Sequence, residues 1–230
     1  MVKLKLTWKY CLALYCITML YASLHELVHH FVGFIVCGDW GYKTFNSFET
    51  ACEDDPITYV ATYAGPVFSF AMMYVGAYLL KKRNSLFHKH LGFALIFAQM
   101  PAQRMMGPIM GFNDELYATT KLFGSNNFNP WIVGIIIFAI CIPPLITAYK
   151  SIQNKRKVLW FLLYFLLLPY VLFGPPFFLL EYLMVQKGIL DQAVIGIALL
   201  FVLNEIFTIA LYFKVKKFIN PFYKRDEREG

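Results

Sequence analysis

The chain has 230 residues, of which 59% are hydrophobic and only 15% charged, and its mean hydropathy is +0.54. This composition excludes an ordinary soluble globular domain and indicates a polytopic membrane protein. The formal net charge is +7, but no basic stripe is interleaved with aromatic residues, so nucleic acid is not an expected partner. The expected fold is all-α, a single membrane domain embedded in the lipid bilayer.

Six apolar runs are each comparable in length with the roughly 20 residues that cross a bilayer core. They lie at 8–36, 57–80, 91–110, 130–149, 158–180 and 193–213. The first run follows three lysines and continues past His29, which is too long for the apolar region of a cleaved signal peptide. We therefore predict about six transmembrane helices, the first of them uncleaved.

The positive charges alternate along the chain. Lys and Arg are frequent in four segments, with 3 in 1–9, 4 in 81–90, 4 in 150–157 and 6 in 214–230. The alternate connections, 37–56, 111–129 and 181–192, carry one each. By the positive-inside rule both termini are expected in the cytoplasm, with 216–230 as a basic cytoplasmic tail. The expected location is a bacterial inner membrane or a plasma membrane.

The pattern His25-Glu26-Leu27-Val28-His29 lies within the first apolar run. Residues at i and i+4 project from one helix face, so both imidazoles can reach one Zn²⁺ ion while Glu26 lies beside the metal's water. With this composition, chance produces such a pattern in about 0.4% of chains if positions are independent. The alternative interpretation is a pair of packing histidines, but ionisable groups in an apolar helix usually have partners or a function.

The predicted topology brings more polar residues to the level of the two histidines. The first helix runs outward, so both histidines lie near the extracytoplasmic face, and the third helix ends at that face before Asn113, Asp114 and Glu115. A catalytic zinc site has three protein ligands and one open position. We predict Asp114 as the third ligand, with Glu115 as the substitute and an ordinary helix cap as the alternative role of Asp114.

Several other polar residues lie in or beside the apolar runs. The side chain of Arg104 either extends to the membrane interface or pairs with a carboxylate. Arg104 and Asn113 are also the candidates to stabilise an oxyanion. Asn204 and Glu205 are expected to form hydrogen bonds between helices. Cys37 and Cys52 flank one extracytoplasmic loop and can form a disulfide if that side is oxidising.

Taken together, the motifs resemble the site-2 protease family, the M50-type intramembrane zinc metalloproteases. The resemblance covers about residues 20–120 and rests on the His25–His29 motif, Ala64-Gly65-Pro66 on the next helix, and Asn113-Asp114. It implies a three-helix catalytic core within 1–125, followed by additional membrane helices in 126–215. It also implies that His25, His29 and Asp114 are zinc ligands and that Glu26 is the catalytic carboxylate. The chain differs from the family pattern at Ser69, where asparagine is common, and at Glu115, where glycine usually follows the aspartate.

The expected function is therefore hydrolysis of peptide bonds in membrane-spanning or membrane-associated substrates, such as a membrane protein or a signal-peptide-like segment, with Glu26 activating a zinc-bound water. A zinc-binding transporter, a non-catalytic membrane scaffold and an inactive protease relative are the alternatives. A di-iron oxygenase is a further alternative because His30 adjoins the motif, but it requires more histidines than His88 and His90 provide. The sequence does not define the oligomeric state.

Overall fold

The computed structural model describes residues 1–52 and 55–223, of which about 73% are helical. Asp54 and residues 224–230 of the predicted basic tail lie outside the described residues. The α-helices of the described chain are α1 Trp8–Cys37, α2 Thr58–Lys82, α3 Leu86–Ala98, α4 Pro101–Met110, α5 Asp114–Phe123, α6 Asn129–Ser151, α7 Lys157–Leu162, α8 Leu168–Val185 and α9 Leu199–Val215. A π-helical turn, Leu163–Leu167, joins α7 to α8, and a 3₁₀ turn, Lys216–Ile219, follows α9.

Four helical segments are long and apolar enough to cross a membrane: α1, α2, α6 and the segment Lys157–Val185 formed by α7, the π turn and α8. They coincide with the first, second, fourth and fifth runs predicted from hydropathy. Many large hydrophobic side chains on these helices are exposed, which is typical of surfaces that face lipid. The predicted helical fold is thus confirmed, and the four apolar helices are compatible with a membrane protein.

The third predicted run, 91–110, is not one helix. It is divided between α3 and α4 because Met100 adopts a left-handed backbone conformation with φ 48°. Pro101 follows and begins α4; proline has no N–H to continue the hydrogen-bond ladder and disfavours α-helical geometry in the residue before it. The prediction of one continuous third helix is therefore wrong, and residues of this break line the cavity described below.

The sixth predicted run, 193–213, also differs from the structure. Its first residues form a two-stranded antiparallel hairpin, β1 Ala193–Val194 and β2 Ile197–Ala198. The helix that follows, α9, has 17 residues and ends at Val215. The six-span count is therefore not confirmed, although α9 is apolar and packs against α1.

Close helix packing positions the site. At the crossing of α2 and α3, a Cβ atom on Gly76 would lie 2.6 Å from the carbonyl oxygen of Gly92, so glycine is what allows the two backbones to approach. The segment between α1 and α2 is joined to the end of α1 by a disulfide between Cys37 and Cys52, whose Cα atoms are 5.5 Å apart. The segment over residues 38–52 is therefore closed back onto the C-terminal end of α1.

Candidate metal centre

The two histidines of α1 meet at their Nε2 atoms. Because they are four residues apart on one helix, their rings lie edge to face with centroids 4.5 Å apart, and Nε2 of His29 is 3.0 Å from Nε2 of His25. Both side chains are buried against α2. The paired nitrogen atoms thus point at a common position.

A carboxylate from a distant part of the chain reaches the same position. Asp114 is the first residue of α5, whose N-cap Asn113 accepts a hydrogen bond from the backbone N–H of Leu116. Oδ2 of Asp114 lies 3.1 Å from Nε2 of His25 and 3.5 Å from Nε2 of His29. Burial opposes ionisation of Asp114, but the adjacent imidazoles of His25 and His29 outweigh it and hold the pKa of this carboxyl well below its usual range.

The three atoms have the spacing of tetrahedral ligands. Zinc bonds of about 2.0–2.1 Å at tetrahedral angles separate the ligand atoms by about 3.3 Å. The distances among Nε2 of His25, Nε2 of His29 and Oδ2 of Asp114 are 3.0, 3.1 and 3.5 Å. Within residues 1–52 and 55–223, these three residues form the one group of His, Cys, Asp or Glu side chains with metal-ligand geometry. The donor set and its spacing fit Zn²⁺.

The other ring nitrogens are held by hydrogen-bond partners. Nδ1–H of His29 donates to the carbonyl oxygen of Ala61 over 2.7 Å, which leaves the Nε2 lone pair free for a cation. Nδ1 of His25 lies 3.1 Å from Oγ of Ser69, a hydroxyl that can donate or accept. Such partners orient metal-binding imidazoles and fix their tautomer. Ser69 therefore supports His25 from α2.

Gly65 allows α2 to contact the histidine pair. A Cβ atom at this position would collide with Nε2 of His29 and would lie 2.7 Å from Cε1 of His25. Pro66, the next residue, is buried within α2. The Gly-Pro pair identified in the sequence thus lies directly against the candidate ligands, where a larger residue does not fit.

Arg104 points inward, so the interpretation that it extends to the membrane interface is wrong. Its side chain is 15% exposed, and Nη2 donates to Oγ of Ser69 over 3.2 Å and contacts Nδ1 of His25 at 3.0 Å. Nη1 lies 3.7 Å from Oε1 of Glu115. The inward orientation brings the guanidinium beside the buried carboxylate of Glu115 on α5. Glu115 is accordingly engaged by Arg104 and is outside the His–His–Asp group.

Glu26 borders the same group and lines a cavity of about 490 Å³. Its Oε1 lies 4.0 Å from Nε2 of His25, and its side chain is 17% exposed. His25, Asp114 and Asn113 also line this cavity, as do residues from the α3–α4 break and from α8. A carboxylate at this distance can reach a small molecule bound between itself and the ligands.

The connection between α1 and α2 covers the site, which the sequence did not indicate. Its Phe48 stacks on the ring of His29 at 4.3 Å. The backbone N–H of Phe45 and the hydroxyl of Thr44 each donate to the carboxylate of Glu181 on α8 over 3.0 Å. Phe45 also lines the cavity. The cover is thus tied to α8, and only the three-dimensional structure reveals this.

Lys43 is fully buried within this cover. Its ammonium group donates to the carbonyl oxygen of Thr44 over 2.7 Å and lies 3.5 Å from the ring centroid of Phe201. Burial lowers the pKa of Lys43 from the usual 10.5 to about 8, although Glu26, Glu205 and Glu181 attract the charged form. The ammonium therefore adds positive charge behind the site.

The remaining polar residues take other roles. Nε2–H of His30 donates to the carbonyl oxygen of Ile195 over 3.0 Å, so His30 is outside the ligand group. His90 is buried on α3, away from that group. Glu205 accepts a hydrogen bond from Ser23 of α1 over 2.6 Å and another from Asn204 over 3.1 Å. The predicted hydrogen bonding between helices thus joins α9 to α1.

Comparison of the chain with protein-family models, with curated proteins and with solved structures finds no match in any of the three.

Proposed function

We propose that the protein is an intramembrane zinc metalloprotease of the site-2 protease kind, which hydrolyses peptide bonds in membrane-spanning or membrane-associated substrates. One observation carries the proposal: His25, His29 and Asp114 have tetrahedral ligand spacing, and Glu26 borders the same cavity. A scaffold or a transport site has use for the three ligands but gives no reason for the additional carboxylate.

In the proposed mechanism, Zn²⁺ held by His25, His29 and Asp114 supplies Lewis acidity, which acidifies water and polarises a carbonyl. Glu26 takes the proton of the attacking water and passes it to the leaving amine. Asn113 is the candidate donor to the developing oxyanion. Its Oδ1 caps α5, and its buried Nδ2 has no hydrogen-bond partner among residues 1–52 and 55–223. Such a preorganised donor is what oxyanion stabilisation requires.

Arg104 orients residues of the site from behind His25, although its positive charge also weakens the binding of a cation there. Because a guanidinium is always charged and only donates, it orients Ser69 and His25 and also compensates the charge of Glu115. We assign Arg104 as a positioning residue because its guanidinium already contacts His25, Ser69 and Glu115, and we leave the oxyanion to Asn113, which also lines the cavity. This refines the expectation from sequence that either residue could fill that role.

The proposed orientation places the site near the extracytoplasmic face and both termini in the cytoplasm. The distribution of lysine and arginine supports this orientation. The Cys37–Cys52 disulfide at the outer end of α1 is also in keeping with an oxidising compartment on that side. Cleavage is then expected near the extracytoplasmic end of a substrate helix that has locally unwound, in an inner or plasma membrane.

The test compares purified wild-type protein with Glu26→Gln, using the exposed Glu49→Gln as the matched control. Zinc content is measured by mass spectrometry, and hydrolysis is measured on reconstituted membrane substrates. We expect about one zinc ion in all three proteins, with hydrolysis lost only in Glu26→Gln, by at least about 10³-fold, since a general base contributes 10²–10⁴-fold. Hydrolysis retained by Glu26→Gln would reject the mechanism, and zinc binding with no hydrolysis in wild type would favour a scaffold or transporter.

A further inference from the structure

One wall of the cavity is aromatic except at a single glycine. Tyr170, Gly174 and Phe178 follow one another at four-residue intervals on α8, and all three line the cavity with Phe177. Residues at this spacing are neighbours on one helix face. A Cβ atom on Gly174 would have no atom within 4 Å. Gly174 therefore forms a notch between aromatic rings, and the notch opens into the cavity that holds Glu26.

A second wall of the cavity contains an unpaired amide. Gln99 ends α3 at the break before α4, and its side chain lines the cavity. The residue is 4% exposed, and its Nε2 has no hydrogen-bond partner in the described chain. Buried polar groups in folded proteins nearly always have partners. A peptide carbonyl placed in the cavity is an acceptor of the kind that this N–H group lacks.

Tyr170 fixes the distance between the two walls. Its hydroxyl accepts a hydrogen bond from the backbone N–H of Gln103 over 2.8 Å and donates to the carbonyl oxygen of Met100 over 3.4 Å. The α3–α4 break, which presents Gln99, is thereby attached to the helix that presents Gly174. The notch and the unpaired amide are parts of one cleft.

We propose that the notch at Gly174 is a specificity pocket for a large apolar side chain of the substrate, and that Gln99 binds a backbone carbonyl of the same unwound segment. This inference rests on the proposed protease function and names its substrate class. A lipid acyl chain fills an apolar notch equally well, and its ester carbonyl can accept from Gln99, but it brings no amide bond to Glu26. A peptide with a large apolar residue near the scissile bond fills the notch at Gly174, accepts a hydrogen bond from Gln99 and brings an amide bond to Glu26.

The experiment fills the notch in steps with Gly174→Ala, Gly174→Leu and Gly174→Phe. The control is Val171→Phe, which adds an aromatic ring to the same helix at a residue that is 56% exposed. The substrates are matched membrane peptides that differ at one position near the cleavage site, with Ala, Leu or Phe there. Cleavage rates are measured, and binding of the same fluorescent peptides is measured in a Glu26→Gln background, where turnover is absent.

We expect wild type and Val171→Phe to prefer the Phe and Leu peptides to the Ala peptide by at least tenfold. Gly174→Phe should remove this preference in both cleavage and binding while leaving the Ala peptide within twofold, and Gly174→Ala should lie between. Gln99→Leu should weaken binding of all three peptides by a similar factor of about ten. If the Gly174 series changes all three peptides equally, or changes none of them, the pocket assignment is wrong.

The outcomes separate the two proposals. Suppose that hydrolysis depends on Glu26 but that the preference for large apolar side chains is the same in all Gly174 variants. The pocket assignment is then wrong, and the protease function is retained. Absence of hydrolysis in wild type, with peptide binding that still discriminates at Gly174, overturns the protease function and leaves the pocket as a peptide-binding site. The Ala and Leu variants keep the test decisive if Gly174→Phe does not fold.

Discussion

The guanidinium of Arg104 lies 3.0 Å from Nδ1 of His25. Arginine can only donate, so in this contact Nδ1 of His25 accepts, and the ring proton is on Nε2, directed at Asp114. Metal binding requires the opposite tautomer, with a free Nε2 and with Nδ1–H donating to Ser69. Arg104 therefore opposes a cation at the site both by its charge and by the tautomer that it favours.

From this relationship we expect the double variant Arg104→Gln/Glu115→Gln to bind Zn²⁺ at least about tenfold more tightly, or about 1.4 kcal/mol. Both residues are changed because Arg104→Gln alone leaves the carboxylate of Glu115 buried without a partner. Competition with a chelator of known affinity measures the change. Glu115→Gln alone retains the positive charge and removes its counter-ion, so it should weaken zinc binding; tighter binding in that variant would contradict the explanation.

The two neighbouring carboxylates of α5 should differ in their effect on metal content. Asp114→Ala removes a candidate ligand, and we expect its zinc affinity to fall by more than the factor of 10–100 that follows loss of a residue supporting a ligand. Glu115→Gln should still bind one zinc ion per chain at saturating metal. Mass spectrometry of the two purified variants checks this. Equal loss of zinc in both would show that Glu115 is also a ligand.

Gly65→Ala tests the contact between α2 and the histidines. The added methyl group collides with Nε2 of His29, so we expect zinc binding to be lost and the thermal unfolding temperature to fall. Gly134→Ala on α6 is the control, because its Cβ atom would lie 4.0 Å from the nearest atom, Cβ of Pro108. A Gly65→Ala protein with normal zinc affinity would show that the close approach is unimportant.

Lys43 predicts a dependence of stability on pH. Its pKa in the folded chain is lowered to about 8 from the usual 10.5, so between these values the unfolded chain binds more protons, and stability rises with pH. At about 1.4 kcal/mol per pH unit, Lys43 contributes an increase of about 3 kcal/mol across this window. Below pH 8 the ammonium is charged in both states and the contribution is flat.

Equilibrium unfolding of detergent-solubilised protein at several pH values measures this effect. The rise should be present in wild type and in the exposed-residue variant Lys121→Met, and absent from Lys43→Met. The relevant quantity is the difference between variants, because other groups that titrate in the same range cancel in it. A Lys43→Met protein with the wild-type slope would show that Lys43 is not buried in its charged form.

The sequence determined the features that depend on local geometry. Helical spacing places His25 and His29 on one face, and continuous hydrophobicity sets the four long spans, because both follow from 3.6 residues per turn and from the thickness of a bilayer. It also predicted Asp114 as the third candidate ligand, with Glu115 as the substitute. Successive residues on a helix point about 100° apart, so only the structure shows which of the two carboxylates faces the histidines.

The tertiary structure alone decided which groups meet across long chain separations. Packing of α5 against α2 turns Asp114 toward the histidines, and Arg104 points inward because Glu115 is there to pair with it. The break at Met100 and the notch at Gly174 belong to one cavity only because α8 packs against the α3–α4 break through Tyr170. Hydropathy records how favourably a segment enters the membrane, whereas these contacts depend on how the helices are rotated and packed against one another, and no single segment carries that information.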